Sequence, residues 1–373
     1  MDWHTDPAGF TALINGRRIK GTCLSGILFT ERRGRGPPDD RPVWSVSGRL
    51  LYGGGRFSSA GWTVELSKTR SATRLKDLAD GETCMTNAVR TSPEQLSDSI
   101  LTVTALTPVI GAEISGIDLR EPLTSRLGAE LRQLLARYKV IFFRDQSIDA
   151  DQHLALGRSF GSLLRFPGVN GEDAQYPGLQ VIGSWRPPAR RPDGGRYTGG
   201  WHIDASGLVV APFASILRAV TIPPVGGDTV WANLAAAYEG LPDDLKLTLE
   251  DLYATDDLRQ HFRERGIEYP LLARPIVRIH PETGEKVLAV NFTQHPRVVD
   301  WTAERSAELI QTLKEEATRP EYQVRFRWSP GAITMWDNRA VHHYAVRDYG
   351  DFPRRMERVL VAEPHLPLVE ELI

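Results

Sequence analysis

Residues 101–143 read LTVTALTPVIGAEISGIDLREPLTSRLGAELRQLLARYKVIFF, and strands and a helix follow one another within them. Thr102–Ile110 and Ala112–Ile117 carry the Thr, Val and Ile content of strands. In Ser125–Tyr138, Leu127, Leu131, Leu134 and Leu135 recur at helical spacing on one face, with Ser125 as a candidate N-cap. Val140-Ile141-Phe142-Phe143 is a short apolar run that suits a buried strand. Working outward, Ala150–Ser159 predicts a second helix capped by Asp149, and Ala303–Ala317 a third. Strands are predicted at Ala214–Ala219, Val277–Ile279, Val287–Asn291, Val324–Trp328, Ala332–Trp336 and Glu357–Glu363. Many short strands with few helices predict an α+β, mainly β fold: a sandwich or jelly roll carrying helices on one side.

Upstream the character changes near Ser97–Ile100. Residues 1–98 hold Gly53-Gly54-Gly55 and the Arg-rich piece Glu31-Arg32-Arg33-Gly34-Arg35-Gly36, with weak apolar periodicity. Thr11–Ile14 and Gly61–Leu66 are short candidate strands bounded by breakers. The division expected is a Gly/Arg-rich N-terminal extension, 1–98, and a main domain, 99–373.

Composition narrows the function classes. Of 373 residues, 41% are apolar and 25% charged, which excludes a wholly disordered chain. A net charge of −2 gives no electrostatic reason for a nucleic-acid partner, and no apolar run is long enough for a membrane span. No secretory signal is visible, so the expected setting is cytoplasmic. Cys23 and Cys84 both precede residue 99, so thiolate chemistry is excluded from the main domain.

The sharpest chemical feature is Trp201-His202-Ile203-Asp204. On an extended strand, side chains at i and i+2 share a face, so His202 and Asp204 can grip one metal ion together. A second histidine would complete a two-histidine, one-carboxylate set with open positions, the arrangement of non-haem Fe(II) oxygenases. Alone, His-x-Asp is a weak signal: Trp3-His4-Thr5-Asp6 repeats it and is set aside as a decoy. Downstream, His342 and His343 are adjacent; alternation sends them to opposite faces, and sequence parity does not choose between them. Further on, Arg354, Met356 and Arg358 would share one face of a strand, with Arg355 and Glu357 on the other. Two guanidinium groups pointing into a β-barrel are costly without anions, which predicts an acidic ligand.

Taken in order, Trp201-His202-Ile203-Asp204, Pro223-Pro224-Val225-Gly226-Gly227-Asp228-Thr229-Val230-Trp231, Trp336-Asp337-Asn338-Arg339, His343-Tyr344-Ala345 and Arg354 to Arg358 closely resemble the taurine/chlorophenoxyacetate dioxygenase family of Fe(II)- and 2-oxoglutarate-dependent oxygenases. The resemblance covers about residues 100–365. It implies a double-stranded β-helix (jelly-roll) core with flanking helices, and Fe(II), 2-oxoglutarate and O2 as cofactor and co-substrates. It assigns the metal to His202, Asp204 and His343, the last because the family's distal ligand directly precedes the Tyr-Ala pair. It assigns the distal carboxylate of 2-oxoglutarate to Arg354 with Thr229 as hydroxyl partner, and a co-substrate or substrate anion to Arg358. The activity implied is hydroxylation, or a related oxidation, of an unactivated C–H bond in a small acidic molecule, with release of succinate and CO2.

At the substrate the chain departs from members acting on taurine. Phe166 stands where they place a histidine, and Thr198 replaces an amide side chain. Arg165 and Phe166 point to a larger, partly apolar acidic substrate, and Arg186–Arg196 is a candidate lid. A small-molecule substrate is the expected partner, with homo-oligomerisation left open. Trp201, Trp231 and Trp336 are assigned to core packing, and Asp228, Asp337 and Asn338 to turns. His153, His261, His280, His295 and His365 are assigned structural roles. Two other readings compete: a zinc hydrolase using the same three ligands, which has no need of Arg354, and a non-catalytic jelly-roll binding protein.

Overall fold

The apolar run at 140–143 lies in the middle of the largest sheet. The structure, a computed structural model, describes residues 101–165, 173, 175–184 and 200–362, together with the backbone of four strands before them. In chain order the elements are β1 (Thr102–Ala105), β2 (Ala112–Ser115), α1 (Ser125–Tyr138), β3 (Val140–Phe143), α2 (Ala150–Arg158), β4 (Leu163–Leu164), β5 (Gln180–Ser184), β6 (Pro212–Thr221) and β7 (Thr229–Asn233). There follow α3 (Leu234–Gly240), α4 (Asp243–Leu249), β8 (Tyr253–Asp256), α5 (Arg259–Arg263), β9 (Leu271–Pro275), β10 (Val277–Ile279), β11 (Lys286–Leu288) and α6 (Ala303–Ala317). The chain ends in β12 (Gln323–Phe326), β13 (Ile333–Asp337), β14 (Val341–Ala345) and β15 (Arg354–Ala362).

The large sheet has the order β1-β2-β3-β13-β6-β15-β4, with β5 also paired to β15; β2 and β3 are parallel and the other pairs antiparallel. A second, three-stranded sheet has the order β12-β7-β14. β8 pairs with β9, which also pairs with Ile27–Phe29, and β10 pairs with β11. By contacts the chain divides into Met1–Leu24 with Thr30–Ile100, and Ser25–Phe29 with Leu101–Ile373. In the first unit Thr5–Asp6, Gly9–Ile14 and Arg17–Gly21 form an antiparallel meander. It includes the strand predicted at Thr11–Ile14; the one at Gly61–Leu66 lies outside the described residues.

Strand alternation gives the large sheet two working faces. On β3, Ile141 and Phe143 join a core with Leu131, Leu134 and Leu135 of α1 and Leu154 and Leu156 of α2. Val140 and Phe142 point the other way, into a core shared with Trp231, Val324, Phe326 and Val341 of the small sheet. Phe142 stacks on Phe326 at 4.2 Å and meets Trp231 edge-on at 5.4 Å. Each such buried side chain contributes about 1.5–3 kcal/mol by leaving water, so this run joins three layers.

Local rules explain where the elements stop. β1 ends at Ala105, short of the predicted Ile110, because Pro108 has no N–H for a ladder and Thr107 Oγ1 turns the chain by accepting from Ile110 N at 3.0 Å. β2 ends at Ser115, before Gly116 at φ 83°. α1 spans the predicted residues, but its cap is Thr124, whose hydroxyl accepts from Leu127 N at 3.2 Å; Ser125 is already helical. α2 is capped by Asp149 as predicted, within a capping box completed by Gln152. Among the described residues, no helix is long and apolar enough to cross a membrane.

Candidate metal centre

Pairing of β14 with β7 sets Trp231 opposite His343 and Ala232 opposite His342. This register decides what sequence parity left open. His343 faces inward, with Trp336 at 4.9 Å. His342 faces the other way and donates from Nε2 to Val290 O at 2.7 Å, its ring edge-on to Phe292. Burial holds the His342 imidazole neutral, with its pKa lowered to about 3.

His202 reaches the same place by a single antiparallel bridge to His343, with backbone bonds of 3.1 and 2.9 Å. The expected continuous strand through Asp204 is absent: Asp204 opens a turn, and Ala205 follows at φ 47°. The two side chains still lie together. His202 Nε2 is 3.6 Å from Asp204 Oδ1, His343 Nε2 is 3.5 Å from the same oxygen, and the imidazoles stand 4.0 Å apart. His202 Nδ1 donates to Gly200 O at 2.8 Å, which leaves Nε2 with its lone pair free.

The electrostatics suit a cation. Burial alone would raise the pKa of Asp204, but Arg358, His343, His202 and a hydrogen bond from Ser215 outweigh it and hold the carboxyl ionised, well below the ordinary range. Burial, with His202 next in size, pushes His343 well below its usual value, so it is a neutral imidazole with a lone pair to give. All three ligand atoms lie within 4.8 Å of one another. Donors about 2.1 Å from a shared ion lie about 3.0 Å apart at a right angle and about 3.6 Å apart at 120°, so small shifts close the set around one ion. Two imidazole nitrogens, one carboxylate and no thiolate fit Fe(II).

Two arginines face the same side of β15. Arg354 is 6% exposed, donates from Nε to Gly227 O at 3.1 Å, and has no ion-paired carboxylate among the described residues. Burial lowers its pKa. Gly226 and Gly227 sit at φ 74° and 75°, and a Cβ on Gly227 would come within 3.3 Å of Arg354 Cδ and Nε. The glycine pair therefore lets the backbone approach the guanidinium. Arg358 is pinned by Gln180, whose Oε1 accepts from Nε and Nη2 at 3.0 and 2.8 Å, and its Nη1 donates to Asp204 Oδ1. Thr229 is buried on β7 and accepts from Trp328 Nε1 at 3.0 Å; an indole only donates, so the threonine hydrogen remains available for another acceptor.

The other predicted residues are distributed as follows. Arg165 is exposed and, with Arg158, Gly161 and Pro177, lines a surface cavity of about 550 Å³ that none of the three clustered ligands lines. Phe166, Thr198 and the Arg186–Arg196 insert lie outside the described residues. Trp231 and Trp336 are core residues as expected, at 0% and 1% exposure. Asp337 does more than shape a turn: fully buried at the end of β13, it accepts from His280 Nε2 at 2.9 Å and from Arg339. Asn338 bonds to both Trp336 and Ser215, and Asp228 to Arg325. Sequence reasoning missed Ser215, which donates to Asp204 Oδ2 at 2.7 Å, and Gln180. Each is a polar residue inside an apolar strand run, the signal that could have found it.

The chain is similar to proteins of a known family. The family model "Taurine catabolism dioxygenase TauD, TfdA family" matches residues 102–360. An alpha-ketoglutarate-dependent sulfate ester dioxygenase of Pseudomonas putida is 36% identical over 293 residues, 74% of this chain and 93% of that protein. The alpha-ketoglutarate-dependent 2,4-dichlorophenoxyacetate dioxygenase of Cupriavidus pinatubonensis is 34% identical, over 64% of this chain and 89% of its own length. The crystal structure of a taurine dioxygenase from Burkholderia xenovorans superposes with a TM-score of 0.61 at 37% identity, covering 71% of this chain and 92% of that one. Fe(II), 2-oxoglutarate and O2 are the cofactor and co-substrates of such enzymes, and the imidazole and carboxylate oxygen and nitrogen donors gathered here suit that iron. The match spans the large sheet, the small sheet and every ligand between them, so this chain belongs to the TauD, TfdA family of 2-oxoglutarate-dependent dioxygenases.

Proposed function

We propose that residues 99–373 form a double-stranded β-helix dioxygenase domain that oxidises an unactivated C–H bond of a small acidic organic molecule. His202, Asp204 and His343 would hold Fe(II); Arg354 and Thr229 would hold the distal carboxylate of 2-oxoglutarate; Arg358 would meet a second anionic group. When bound, Fe(II) supplies the redox and O2 chemistry that couples decarboxylation of 2-oxoglutarate to substrate oxidation, giving succinate and CO2.

The observation that carries the reading is the convergence of three ligand atoms within 4.8 Å on the face that also bears Arg354 and Arg358. The chain's own groups prepare the chemistry. Gly200 O fixes the His202 tautomer, and Ser215 orients the carboxylate. Arg354, desolvated and without an ion-paired carboxylate among the described residues, recognises a carboxylate through its planar fork, and the Thr229 hydroxyl can donate to the same anion. The ring of Trp336 beside His343 keeps that ligand away from water. An acidic substrate is supported by Arg358, a second buried guanidinium on the face of Arg354 whose one carboxylate partner among the described residues, Asp204, also neighbours both histidines, and by relatives named for sulfate esters and 2,4-dichlorophenoxyacetate, both anions.

The test is a succinate-release screen over alkyl sulfates, sulfonates, aryloxyacetates and amino acids with Fe(II) and 2-oxoglutarate. Substrate-dependent succinate from one of the acidic classes is expected. Release driven by neutral compounds alone would sink the acidic-substrate reading.

A further inference from the structure

Ser215 is a hydroxyl buried in the apolar run of β6, and it is the middle of a chain of hydrogen bonds. Trp336 Nε1 donates to Asn338 Oδ1 at 2.9 Å, Asn338 Nδ2 donates to Ser215 Oγ at 2.8 Å, and Ser215 Oγ donates to Asp204 Oδ2 at 2.7 Å. The four residues are 1%, 3%, 0% and 3% exposed, so water does not compete for these bonds. Asn338 is also fixed by its backbone, which donates to Phe213 O at 2.8 Å.

The direction of the chain follows from its far end. An indole N–H donates and never accepts, so Asn338 must turn its carbonyl to Trp336 and its NH2 to Ser215. A hydroxyl that receives that N–H has its own hydrogen left for the carboxylate. Oδ2 is therefore capped by a neutral donor. Oδ1 also accepts from Arg358 Nη1, but it is the oxygen that faces Nε2 of His202 and His343, at 3.6 and 3.5 Å, and its second lone pair remains for an ion.

We propose that Trp336, Asn338 and Ser215 form a positioning relay that restricts Asp204 to one oxygen, presenting Oδ1 to the ion and withholding Oδ2. The inference rests on the reading of His202, Asp204 and His343 as the metal ligands, and deepens it. Its value to the reaction is in the number of open positions. A carboxylate that used both oxygens would fill a position that a chelating keto acid or O2 needs. None of the three relay residues is one of the three ligands; Ser215 and Asn338 act through Asp204, and Trp336 orients Asn338 while its ring also packs beside His343.

The test uses Co(II) as the probe, read by its visible absorption, with the full-length protein and its Ser215→Ala, Asn338→Asp, Ser215→Thr and Asp204→Ala variants. In Asn338→Asp the new carboxylate can accept from both Trp336 and Ser215, which turns the serine hydrogen away from Asp204 at almost constant volume. Loss of a group that orients a metal ligand typically costs about 10–100-fold in affinity. That weakening is expected for Ser215→Ala and Asn338→Asp, together with altered Co(II) band positions and intensities. Ser215→Thr, which keeps the hydroxyl, is expected to stay within about threefold of the parent. Thermal melting identifies any variant that fails to fold; if Asn338→Asp is one, the Ser215→Ala and Ser215→Thr pair decides the question. Folded variants that bind Co(II) within about twofold of the parent, with an unchanged spectrum, would overturn the relay. If instead the parent's Co(II) binding is absent or survives Asp204→Ala, the metal reading itself fails, and the two failures are thereby distinguished.

Discussion

Replacing Arg354 with methionine separates co-substrate binding from the metal site. The guanidinium is 6% exposed, its Nε is committed to Gly227 O, and among the described residues no carboxylate is ion-paired with it. Removing one partner of a buried charge pair costs about 2–5 kcal/mol. The cavity left by methionine lets the ligand carboxylate regain some water, which places the loss at the low end, about 2–3 kcal/mol. At 1.36 kcal/mol per factor of ten this is about a 30–150-fold rise in the KM for 2-oxoglutarate. Among the described residues, Arg354 makes no hydrogen bond to His202, Asp204 or His343, so kcat at saturating 2-oxoglutarate should stay within about threefold. Lysine keeps the charge without the fork and should cost about tenfold. The assay is succinate formation with 2-oxoglutarate varied, paired with an anaerobic titration of the Fe(II) charge-transfer band, which gives Kd without turnover. A methionine variant whose KM and Kd for 2-oxoglutarate match the parent, or whose loss falls on the second substrate alone, would show that the keto acid is anchored elsewhere.

Asp204→Ala should abolish both metal binding and substrate-dependent succinate formation, since the carboxylate is the shared neighbour of both histidines; retained turnover in the assay would refute the ligand set. His343→Gln should lose metal affinity, whereas His342→Gln, facing the other way, should keep it and lose about 1 kcal/mol of stability in urea titrations. Gly227→Ala, strained at φ +75° and crowding Arg354, should raise the KM for 2-oxoglutarate with little change in Co(II) affinity. Burial lowers the pKa of His153 from 6.5 to about 3. The unfolded chain therefore takes up that proton first as pH falls. Its contribution is complete above pH 6.5, shrinks through the interval down to 3, and amounts to about 2 kcal/mol between pH 7 and 5. Urea melts at both pH values should show a shallower slope in His153→Gln.

The parts of the fold written as local pattern were legible. α6 spans the predicted Ala303–Ala317 and β3 the predicted Val140–Phe143, because helical periodicity and a bounded apolar run are properties of neighbouring residues. α3, α4 and α5 have 7, 7 and 5 residues, less than the two turns over which such a pattern repeats. In the site, residue types nominated the ligands and the resemblance through Tyr344-Ala345 chose His343 over His342, while strand parity left the two equal; the physical reason for the choice is the pairing of β14 with β7. A polar residue in an apolar run marks Ser215 and Gln180, but not their partners: Gln180 meets Arg358 across 178 residues, a partnership that exists only once β5 lies beside β15. His280 and Asp337, 57 residues apart, were read as a structural histidine and a turn, and their buried pairing has no local signature.

β15 shows how one strand serves stability and chemistry at once. Arg355 and Glu357 lie on one face, where Glu357 accepts from Arg355 at 2.8 Å and also from Arg218, so both guanidinium groups have a carboxylate partner within the chain. Arg354 and Arg358 lie on the other: Arg354 donates to the neutral Gly227 O, and Arg358 donates to the neutral Gln180 Oε1 and to the Asp204 carboxylate. Among the described residues Asp204 is the one carboxylate Arg358 touches, and that group is also the shared neighbour of the two histidines. Buried cations solvated by neutral oxygens are costly in isolation and become favourable when an anion arrives. A strand built only for stability would pair Arg354 as it pairs Arg355 and Arg358. Leaving Arg354 without an ion-paired carboxylate among the described residues, four residues from an Arg358 that is shared with the ligand triad, gives the domain an electrostatic reason to take up a keto diacid there. Swapping Gln180 for glutamate would give Arg358 a second carboxylate beside Asp204, and the expected result is weaker binding of the anion Arg358 serves while Arg354 continues to hold 2-oxoglutarate.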